Sequence, residues 1–155
     1  MKQIKTYLLT AVAAIVVLST LIFPKPLTSQ PLETVLFDDK AVYCLAKNIY
    51  HEARGEPYKG QLAVALVTLN RVSSVSYPSN VCSVVYDKHQ FSWTREKLKV
   101  ADKNAWARAK DIAYKALAEY DELKTFKATH FHHVSINPGW KLKRVAKIGN
   151  HVFYK

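Results

Sequence analysis

A carboxylate near the end of a predicted helix is the first group in this sequence that could do chemistry. Glu52 lies in the segment NIYHEARGEPYKGQLAVALVTLNRV, three residues after Ile49, so helical spacing puts it on the apolar face. Gly55 ends the helix, which leaves Glu52 in the last turn at the negative end of the helix dipole. Burial and the dipole both disfavour a charged carboxylate, so we expect a raised pKa. A carboxylic acid that stays protonated near neutral pH can serve as the general acid in glycosidic bond cleavage.

The residues alone also allow structural interpretations of the two carboxylates in this segment. Glu52 could form an ion pair with Arg54, Arg71 or a neighbouring lysine. One helical turn would bring Glu56 close to Glu52, near the short carboxylate separation of retaining glycosidases, but the Gly-Glu-Pro turn breaks the helical register. Glu56 is therefore open to three roles, namely a nucleophile, a substrate contact, or a cap for the next helix.

The elements that must position these carboxylates are predicted to be mainly helical. The apolar spacing predicts a helix from Asp39 to Gly55, with Asp38 or Asp39 as its cap, and further helices over 59–73 and 104–120. The helix over 59–73 is apolar nearly all round, which predicts a central core position. The stretch DKHQFSWTRE is predicted to be a loop. The C-terminal segment predicts short strands around a turn at Asn137-Pro138-Gly139, so the fold class is α+β, mainly helical, with a small C-terminal β element.

The N-terminus predicts a signal-anchor. An uncharged run from Tyr7 to Phe23 follows two lysines, and no small-x-small cleavage site comes after it. We expect residues 1–23 to anchor the chain in the inner membrane, residues 24–37 to form a Pro-rich tether, and residues 38–155 to form the catalytic domain in the periplasm or extracytoplasmic space. A cleaved signal peptide and later release from the membrane are the alternatives.

The charge balance predicts an anionic partner. The formal net charge is +11, of which Lys2, Lys5 and Lys25 supply only three. Nucleic acid, acidic lipid and an acidic wall polymer would all fit such a surface. An exported domain rarely meets nucleic acid and the basic residues are scattered, so we expect no nucleic-acid partner.

The two cysteines are candidates for a disulfide. Neither Cys44 nor Cys82 belongs to a CxxC pair, so a zinc knuckle is unsupported. In an exported domain the two could pair and close a long loop. The alternative is two small buried apolar residues.

Three blocks of the sequence together resemble the SleB-type cell-wall hydrolase family, relatives of spore cortex-lytic enzymes. They are the segment that contains Glu52, the segment YPSNVCSVVYDKHQFSWT, and the segment ATHFHHVSINPGWKLKRVAKIGNHVFYK, and the resemblance covers residues 42–154. It implies a lysozyme-like domain. We expect this domain to be monomeric and to need no cofactor or metal. Such a domain would cleave the β-1,4 bond between N-acetylmuramic acid and N-acetylglucosamine in peptidoglycan, by lytic transglycosylase chemistry that leaves 1,6-anhydro ends. Its role would be wall lysis or remodelling, including lysis by a phage.

The resemblance also implies a set of site residues. Glu52 matches the first glutamate of the E-A-R-G-E-P block and would be the general acid and base. The positions that would line the substrate cleft are Glu56, Gln61, Asn70, Arg71, Gln90, Ser92, Trp93, His130 and His132. We further expect Trp93, Tyr86 and Trp140 to offer aromatic faces to the sugars.

Two other functions remain open at this point. His51 and Glu52 begin an H-E-x-x-H pattern, but position 55 is Gly, so the zincin helix pattern fails. His130 and His132 could share one face of a strand, which suits either a metal or a sugar contact, so a zinc-dependent peptidoglycan amidase or peptidase is one alternative. A non-enzymatic wall-binding protein is the other.

Overall fold

The protein is mainly helical, with a small antiparallel sheet at its C-terminus. The structure is a computed structural model that describes residues 37–88, 90–96 and 98–155. In chain order the elements are α1 (Asp39–Ala53), α2 (Tyr58–Val72), α3 (Val81–Val85), a 3-10 helix (Ser92–Arg95), α4 (Lys103–Ala118), α5 (Tyr120–Leu123), β1 (His130–His133), β2 (Arg144–Ile148) and β3 (His151–Tyr154). The predicted α+β class is therefore confirmed. The stretch predicted to be a loop differs, since it contains the 3-10 helix.

Side-chain caps begin three of the helices. Asp38 caps α1, because its Oδ1 accepts a hydrogen bond from the backbone N–H of Lys40 at 3.0 Å. Asn80 caps α3 in the same way. Asp102 accepts two backbone hydrogen bonds, each of 2.9 Å, from the first turn of α4. Each cap satisfies backbone donors that the helix itself leaves unpaired, so short polar residues mark these helix starts in the sequence.

The central helix is α2, as its apolar composition predicts. Eleven of its fifteen residues are buried, and it packs against α1, α4 and the sheet. A buried hydrogen bond of 3.1 Å from Asn48 Nδ2 to Thr68 Oγ1 joins α1 to α2. The third long helix, α4, packs against both α1 and α2, and its buried face is made of alanines and Ile112. Small side chains at a helix contact allow the two backbones to approach closely, so the Ala-rich composition of α4 suits this packing.

The sheet has the strand order β1-β3-β2, and both pairings are antiparallel. The turn between β2 and β3 lies at Gly149-Asn150, and Gly149 has a φ of +56°, a left-handed conformation that favours glycine. The turn predicted at Asn137-Pro138-Gly139 lies in the longer connection between β1 and β2. The sequence therefore locates strands in this region but assigns the hairpin to a different turn.

Cys44 and Cys82 form a disulfide that links α1 to α3 across 38 residues of sequence. This covalent link holds the short helix α3 against the longer α1. In the part of the chain that the structure describes, no helix is both long and apolar enough to cross a membrane. The predicted anchor over 1–23 and all of the predicted tether except residue 37 lie outside the described residues.

Candidate active site

Glu52 lies in the last turn of α1, in a strongly desolvated position. Burial raises the pKa of its carboxyl group to about 7, and the positive charge of Arg71 partly opposes the shift. Its side chain still keeps some surface open to solvent. Among the described residues, no basic nitrogen lies within 4.0 Å of the Glu52 carboxylate, so the structure does not show the ion pair that the sequence left open. Arg54, one of the proposed partners, instead lies over the ring of Tyr50 at 5.1 Å.

Arg71 supplies the positive charge that Glu52 experiences. It is only 6% exposed, and its Nε donates a hydrogen bond of 2.8 Å to the carbonyl oxygen of Thr129, just before β1. The guanidinium carbon lies 5.4 Å from the ring centre of Tyr77 and 5.6 Å from that of Phe91. Within the described residues, Nη1 has no hydrogen-bond partner. A buried donor without a partner costs free energy, so an acceptor that reached Nη1 would be stabilising.

Trp93 is placed differently from the open aromatic surface that we expected. It is only 5% exposed, and its ring stacks on the imidazole of His51 with the ring centres 4.5 Å apart. Lys47 Nζ lies 5.4 Å from the same ring. The open neighbour is Tyr86, which is 45% exposed and meets Trp93 edge-on at 5.9 Å. Trp93 therefore supports the aromatic wall, and Tyr86 offers the accessible face.

A second group of aromatic and imidazole rings lies on the sheet. His130 Nε2 lies 3.5 Å from the hydroxyl of Tyr77, and His132 Nε2 lies 3.0 Å from the hydroxyl of Tyr154. Trp140 meets both imidazoles edge-on, at 5.5 and 5.7 Å between ring centres, and is 42% exposed. Burial lowers the pKa of His130, and the positive charge of Arg71 lowers it further, which favours the neutral imidazole. The two histidines predicted for the cleft thus lie together under an exposed tryptophan.

Glu56 is bound to the β2–β3 turn. Its Oε2 accepts the backbone N–H of Asn150 at 2.8 Å, and its Oε1 accepts Asn150 Nδ2 at 3.2 Å. The N-cap of α2 is Pro57, and no side chain caps this helix, so the capping interpretation of Glu56 is wrong. A Cβ at Gly149 would collide with Glu56 Oε2 and lie 3.0 Å from Pro57 Cδ. Glycine at this turn is therefore required by both its φ and the close approach of Glu56.

Gln61 and Asn70, predicted to bind substrate, use their polar atoms inside the protein. Gln61 is 2% exposed and donates to the carbonyl oxygen of Glu56 at 2.9 Å. Asn70 is 9% exposed, and its Nδ2 donates to two carbonyl oxygens in the segment before β1, at 2.6 and 2.8 Å. Its Oδ1 accepts a hydrogen bond from the Tyr120 hydroxyl at 2.9 Å. The amide nitrogens of both residues therefore hold parts of the fold together, and contact of either residue with substrate stays a prediction.

Gln90 and Ser92 lie on either side of buried Phe91, at the start of the 3-10 helix. Ser92 is exposed and Gln90 is partly buried. Neither side chain makes a hydrogen bond to another described residue, so both have free polar groups next to Trp93. Their contact with substrate stays a prediction.

The described part of the chain contains no group of three or more His, Cys, Asp or Glu residues arranged as metal ligands. His130 and His132, the pair that suggested a metal, are each within hydrogen-bond distance of a tyrosine hydroxyl. The zinc alternative depends on these two histidines, and in the structure each of them contacts a tyrosine hydroxyl.

Sequence reasoning missed Asn150 as a partner of Glu56. The adjoining His151 is 6% exposed, and burial lowers its pKa. The available signal was the Gly149-Asn150 dipeptide, which marks a tight turn. It could have located the hairpin but not the residue that this turn contacts 94 positions earlier in the chain.

Comparison with known proteins gives consistent results. The sequence model of the Cell Wall Hydrolase family matches residues 55–154. The spore cortex-lytic enzyme of Bacillus cereus is 32% identical over 126 residues, which cover 77% of this chain and 46% of that protein. The corresponding enzyme of Bacillus subtilis is 30% identical over 124 residues, covering 76% of this chain and 38% of that protein. The chain thus spans less than half the length of these relatives.

Two solved structures share the fold. The catalytic domain of the germination-specific lytic transglycosylase SleB from Bacillus anthracis has a TM-score of 0.64 at 30% identity, covering 77% of this chain and 97% of that one. The catalytic domain of the Bacillus cereus SleB protein has a TM-score of 0.65 at 30% identity. The mainly helical, lysozyme-like class expected from the sequence is thus confirmed. The family match begins at Gly55, three residues after Glu52, so the role of Glu52 depends on its own surroundings.

Proposed function

Because this chain belongs to the cell wall hydrolase family, we propose that it cleaves the glycan backbone of peptidoglycan with Glu52 as the general acid and then the general base. The observation that carries the proposal is the pKa of Glu52, which burial raises to about 7. A carboxyl group with that pKa holds its proton near neutral pH and can give it up to a glycosidic oxygen. The partly open position of the side chain gives the substrate access to it.

In the first step, the proton of Glu52 passes to the oxygen between N-acetylmuramic acid and N-acetylglucosamine. The bond from that oxygen to C1 of the muramic acid breaks, and positive charge develops on the sugar ring. Glu52 is left as a carboxylate, which the charge of Arg71 stabilises. General acid catalysis of this kind contributes about 10²–10⁴-fold to the rate.

In the second step, the 6-hydroxyl oxygen of the same muramic acid bonds to C1, and its proton returns to Glu52. The product is a 1,6-anhydro end, and no water is consumed. The arrangement of Glu56 supports this route over hydrolysis. Both of its carboxylate oxygens already accept hydrogen bonds from Asn150, so it is poorly placed to activate water or attack the sugar.

The exposed rings of Tyr86 and Trp140 are the surfaces that we propose for sugar binding. Tyr86 adjoins Trp93, which stacks on His51, and Trp140 adjoins His130 and His132. Each ring has close to half of its surface open to solvent. An aromatic body with a polar edge suits the apolar faces and hydroxyl groups of a sugar ring.

We also propose that residues 1–23 anchor the catalytic domain at the inner membrane, with the domain on the periplasmic side. The charge asymmetry around the N-terminal apolar run supports this orientation. Membrane fractionation combined with protease treatment of spheroplasts tests it. Protection of the domain from external protease would contradict the proposal, and recovery in the soluble fraction would favour cleavage or release.

Mass spectrometry of the fragments released from purified peptidoglycan tests the reaction itself. We expect 1,6-anhydro-muramic ends, and we expect Glu52→Gln to lose about 10²–10⁴-fold in rate while keeping its circular dichroism spectrum. Glu122→Gln, at an exposed position on α5, is the matched control and should retain full activity.

The other products separate the remaining functions. Reducing ends would show hydrolysis in place of transglycosylation. Free stem peptides whose release stops with EDTA would instead identify a zinc-dependent amidase or peptidase. Binding to peptidoglycan without any released fragment would identify a wall-binding protein.

A further inference from the structure

A groove with basic and aromatic walls lies along α1 at the end far from Glu52. Its volume is about 680 Å³, within the range of ordinary ligand sites. The lining includes Lys40, Ser83, Tyr86, Asp87, Lys88 and the Cys44–Cys82 disulfide. Tyr86, proposed above to bind sugar, borders both this groove and the Trp93 wall. The other lining residues have no role in the proposed reaction.

Helical geometry connects the groove to the Trp93 wall, which ends at His51, the residue before Glu52. Lys40, Cys44, Lys47 and His51 follow one another at intervals of four, three and four residues, so they share one face of α1. Trp93 covers the last two of these residues. The groove and the Trp93 wall therefore form one continuous strip along the helix. At a rise of 1.5 Å per residue, Lys40 lies about 18 Å from Glu52 along the helix axis.

The charges of the groove suit a ligand that carries both carboxylates and an amine. Among the described residues, neither Lys40 nor Lys88 has a carboxylate within 4.0 Å. Asp87 adds one negative charge, and its Oδ1 accepts the backbone N–H of Lys88 at 2.8 Å. Two ammonium groups and one partly engaged carboxylate remain to face a ligand. Lys47 extends the positive charge towards the Trp93 wall.

We propose that this groove binds the stem peptide of the substrate, with the peptide carboxylates on Lys40 and Lys88 and its free amine on Asp87. The inference rests on the proposed function, because the peptide is attached to the muramic acid whose bond is cleaved. A tetrapeptide in extended conformation spans about 13 Å, so from a muramic acid near Glu52 it covers most of the distance to Lys40. The groove would then select glycan that still carries its peptides.

Kinetics on two matched substrates test the proposal with the full chain. One substrate is peptidoglycan glycan with its stem peptides, and the other is the same glycan after an amidase has removed them. We expect the wild-type KM to be lower for the peptide-bearing glycan. Lys40→Gln/Lys88→Gln should raise that KM about 3- to 20-fold, the range expected for two exposed ion pairs, with little change in kcat. The KM for peptide-free glycan should change far less.

A matched control distinguishes the groove from general charge effects. Lys103→Gln/Lys110→Gln removes the same charge from exposed positions on α4 and should leave the KM for both substrates unchanged. The proposal is overturned if Lys40→Gln/Lys88→Gln leaves the KM for peptide-bearing glycan unchanged, or raises both KM values equally. An equal effect of the α4 control would also overturn it, because total charge would then explain the result.

Direct binding separates failure of the groove from failure of the proposed function. The probe is a free stem tetrapeptide, and the control ligand is the same peptide with its carboxylates amidated. We expect the free peptide to shift amide resonances in 83–88, the amidated peptide to bind at least several-fold more weakly, and high salt to weaken binding. If the chain cleaves no glycan but still binds the peptide in this way, the proposed reaction is contradicted and the proposed peptide site is supported. If the peptide does not bind, or binds elsewhere, the proposed peptide site is contradicted, whatever the activity.

Discussion

The carboxylate of Glu56 accepts two hydrogen bonds from Asn150, one from its backbone N–H at 2.8 Å and one from its side-chain amide at 3.2 Å. This contact joins the turn after α1 to the turn between β2 and β3. It therefore holds the end of the Glu52 helix against the sheet that carries His130 and His132. A glutamate four residues from the proposed acid is thus engaged in holding the site together.

Removing Glu56 should cost stability more than chemistry. We expect Glu56→Ala to lower the free energy of unfolding by about 1–2 kcal/mol, because it removes a charged acceptor of two hydrogen bonds. Glu56→Gln keeps one acceptor oxygen and should lose less. Denaturant titration measures both values, and the fragments released by Glu56→Gln should still carry 1,6-anhydro ends.

Asn150→Ala is the control for this contact. Asn150→Ala removes only the side-chain hydrogen bond of 3.2 Å, because the backbone N–H at this position can still donate to Glu56, so it should be less destabilising than Glu56→Ala. Both substitutions break that side-chain bond, so the double variant should be less destabilised than the sum of the single variants. If Glu56→Gln instead lost as much activity as Glu52→Gln with unchanged stability, Glu56 would take part in the reaction, and its holding role would be contradicted.

Activity should fall as the pH rises through the pKa of Glu52. Because the first step needs the protonated carboxyl group, we expect the alkaline limb of the rate profile near pH 7. Arg71→Gln removes a positive charge that lowers this pKa, so the limb should move to higher pH. Arg71→Lys retains the charge and should keep the limb closer to its original position. Steady-state rates from pH 5 to 9 measure the shift, and movement of the Arg71→Gln limb to lower pH would rule out this coupling.

The raised pKa of Glu52 also makes stability depend on pH. Burial raises the pKa from 4.5 to about 7 on folding, so below pH 4.5 the carboxyl group is protonated in both states. Between pH 4.5 and 7 the unfolded chain releases this proton while the native protein keeps it, so native stability falls as the pH rises. The Glu52→Gln variant has no carboxyl group at this position, so this proton does not affect its stability. We therefore expect this variant to gain stability over the wild type as the pH rises from 4.5 to 7, and the gain to level off above pH 7.

Urea titrations of the wild type and Glu52→Gln at pH 4, 6 and 8 measure this gain. Other titrating groups are common to both proteins and largely cancel in the difference. A difference in the free energy of unfolding that stays constant across the three pH values would show that the native and unfolded pKa of Glu52 are equal.

The Cys44–Cys82 disulfide should contribute substantially to stability. In the chain-entropy description, closing a loop of 38 residues stabilises the folded state by roughly 3–4 kcal/mol. Cys44→Ser/Cys82→Ser should therefore unfold at clearly lower denaturant concentration than the oxidised wild type. Wild-type protein treated with reductant should match the double variant. Equal midpoints for the oxidised and reduced wild type would contradict this contribution.

The sequence by itself determined the parts of this protein that depend on neighbours close along the chain. Apolar spacing located α1, α2 and α4 to within two residues at each end, and short polar residues marked the start of α1. The same spacing put Glu52 on the inward face of the last turn of its helix. Periodicity and capping act over a few residues, so a local reading of the chain is enough to find them.

Only the tertiary structure decided what the side chains of the site contact. The partner of Glu56 lies 94 residues away, Asn70 bonds to carbonyl groups 56 and 58 residues away, and the ring of Trp93 is covered by His51. The sequence makes each of these residues a candidate for the substrate cleft. In the structure, each side chain instead contacts a different element of the fold. The reason is that such contacts depend on how helices and strands pack in space, and spacing along the chain carries no record of that packing.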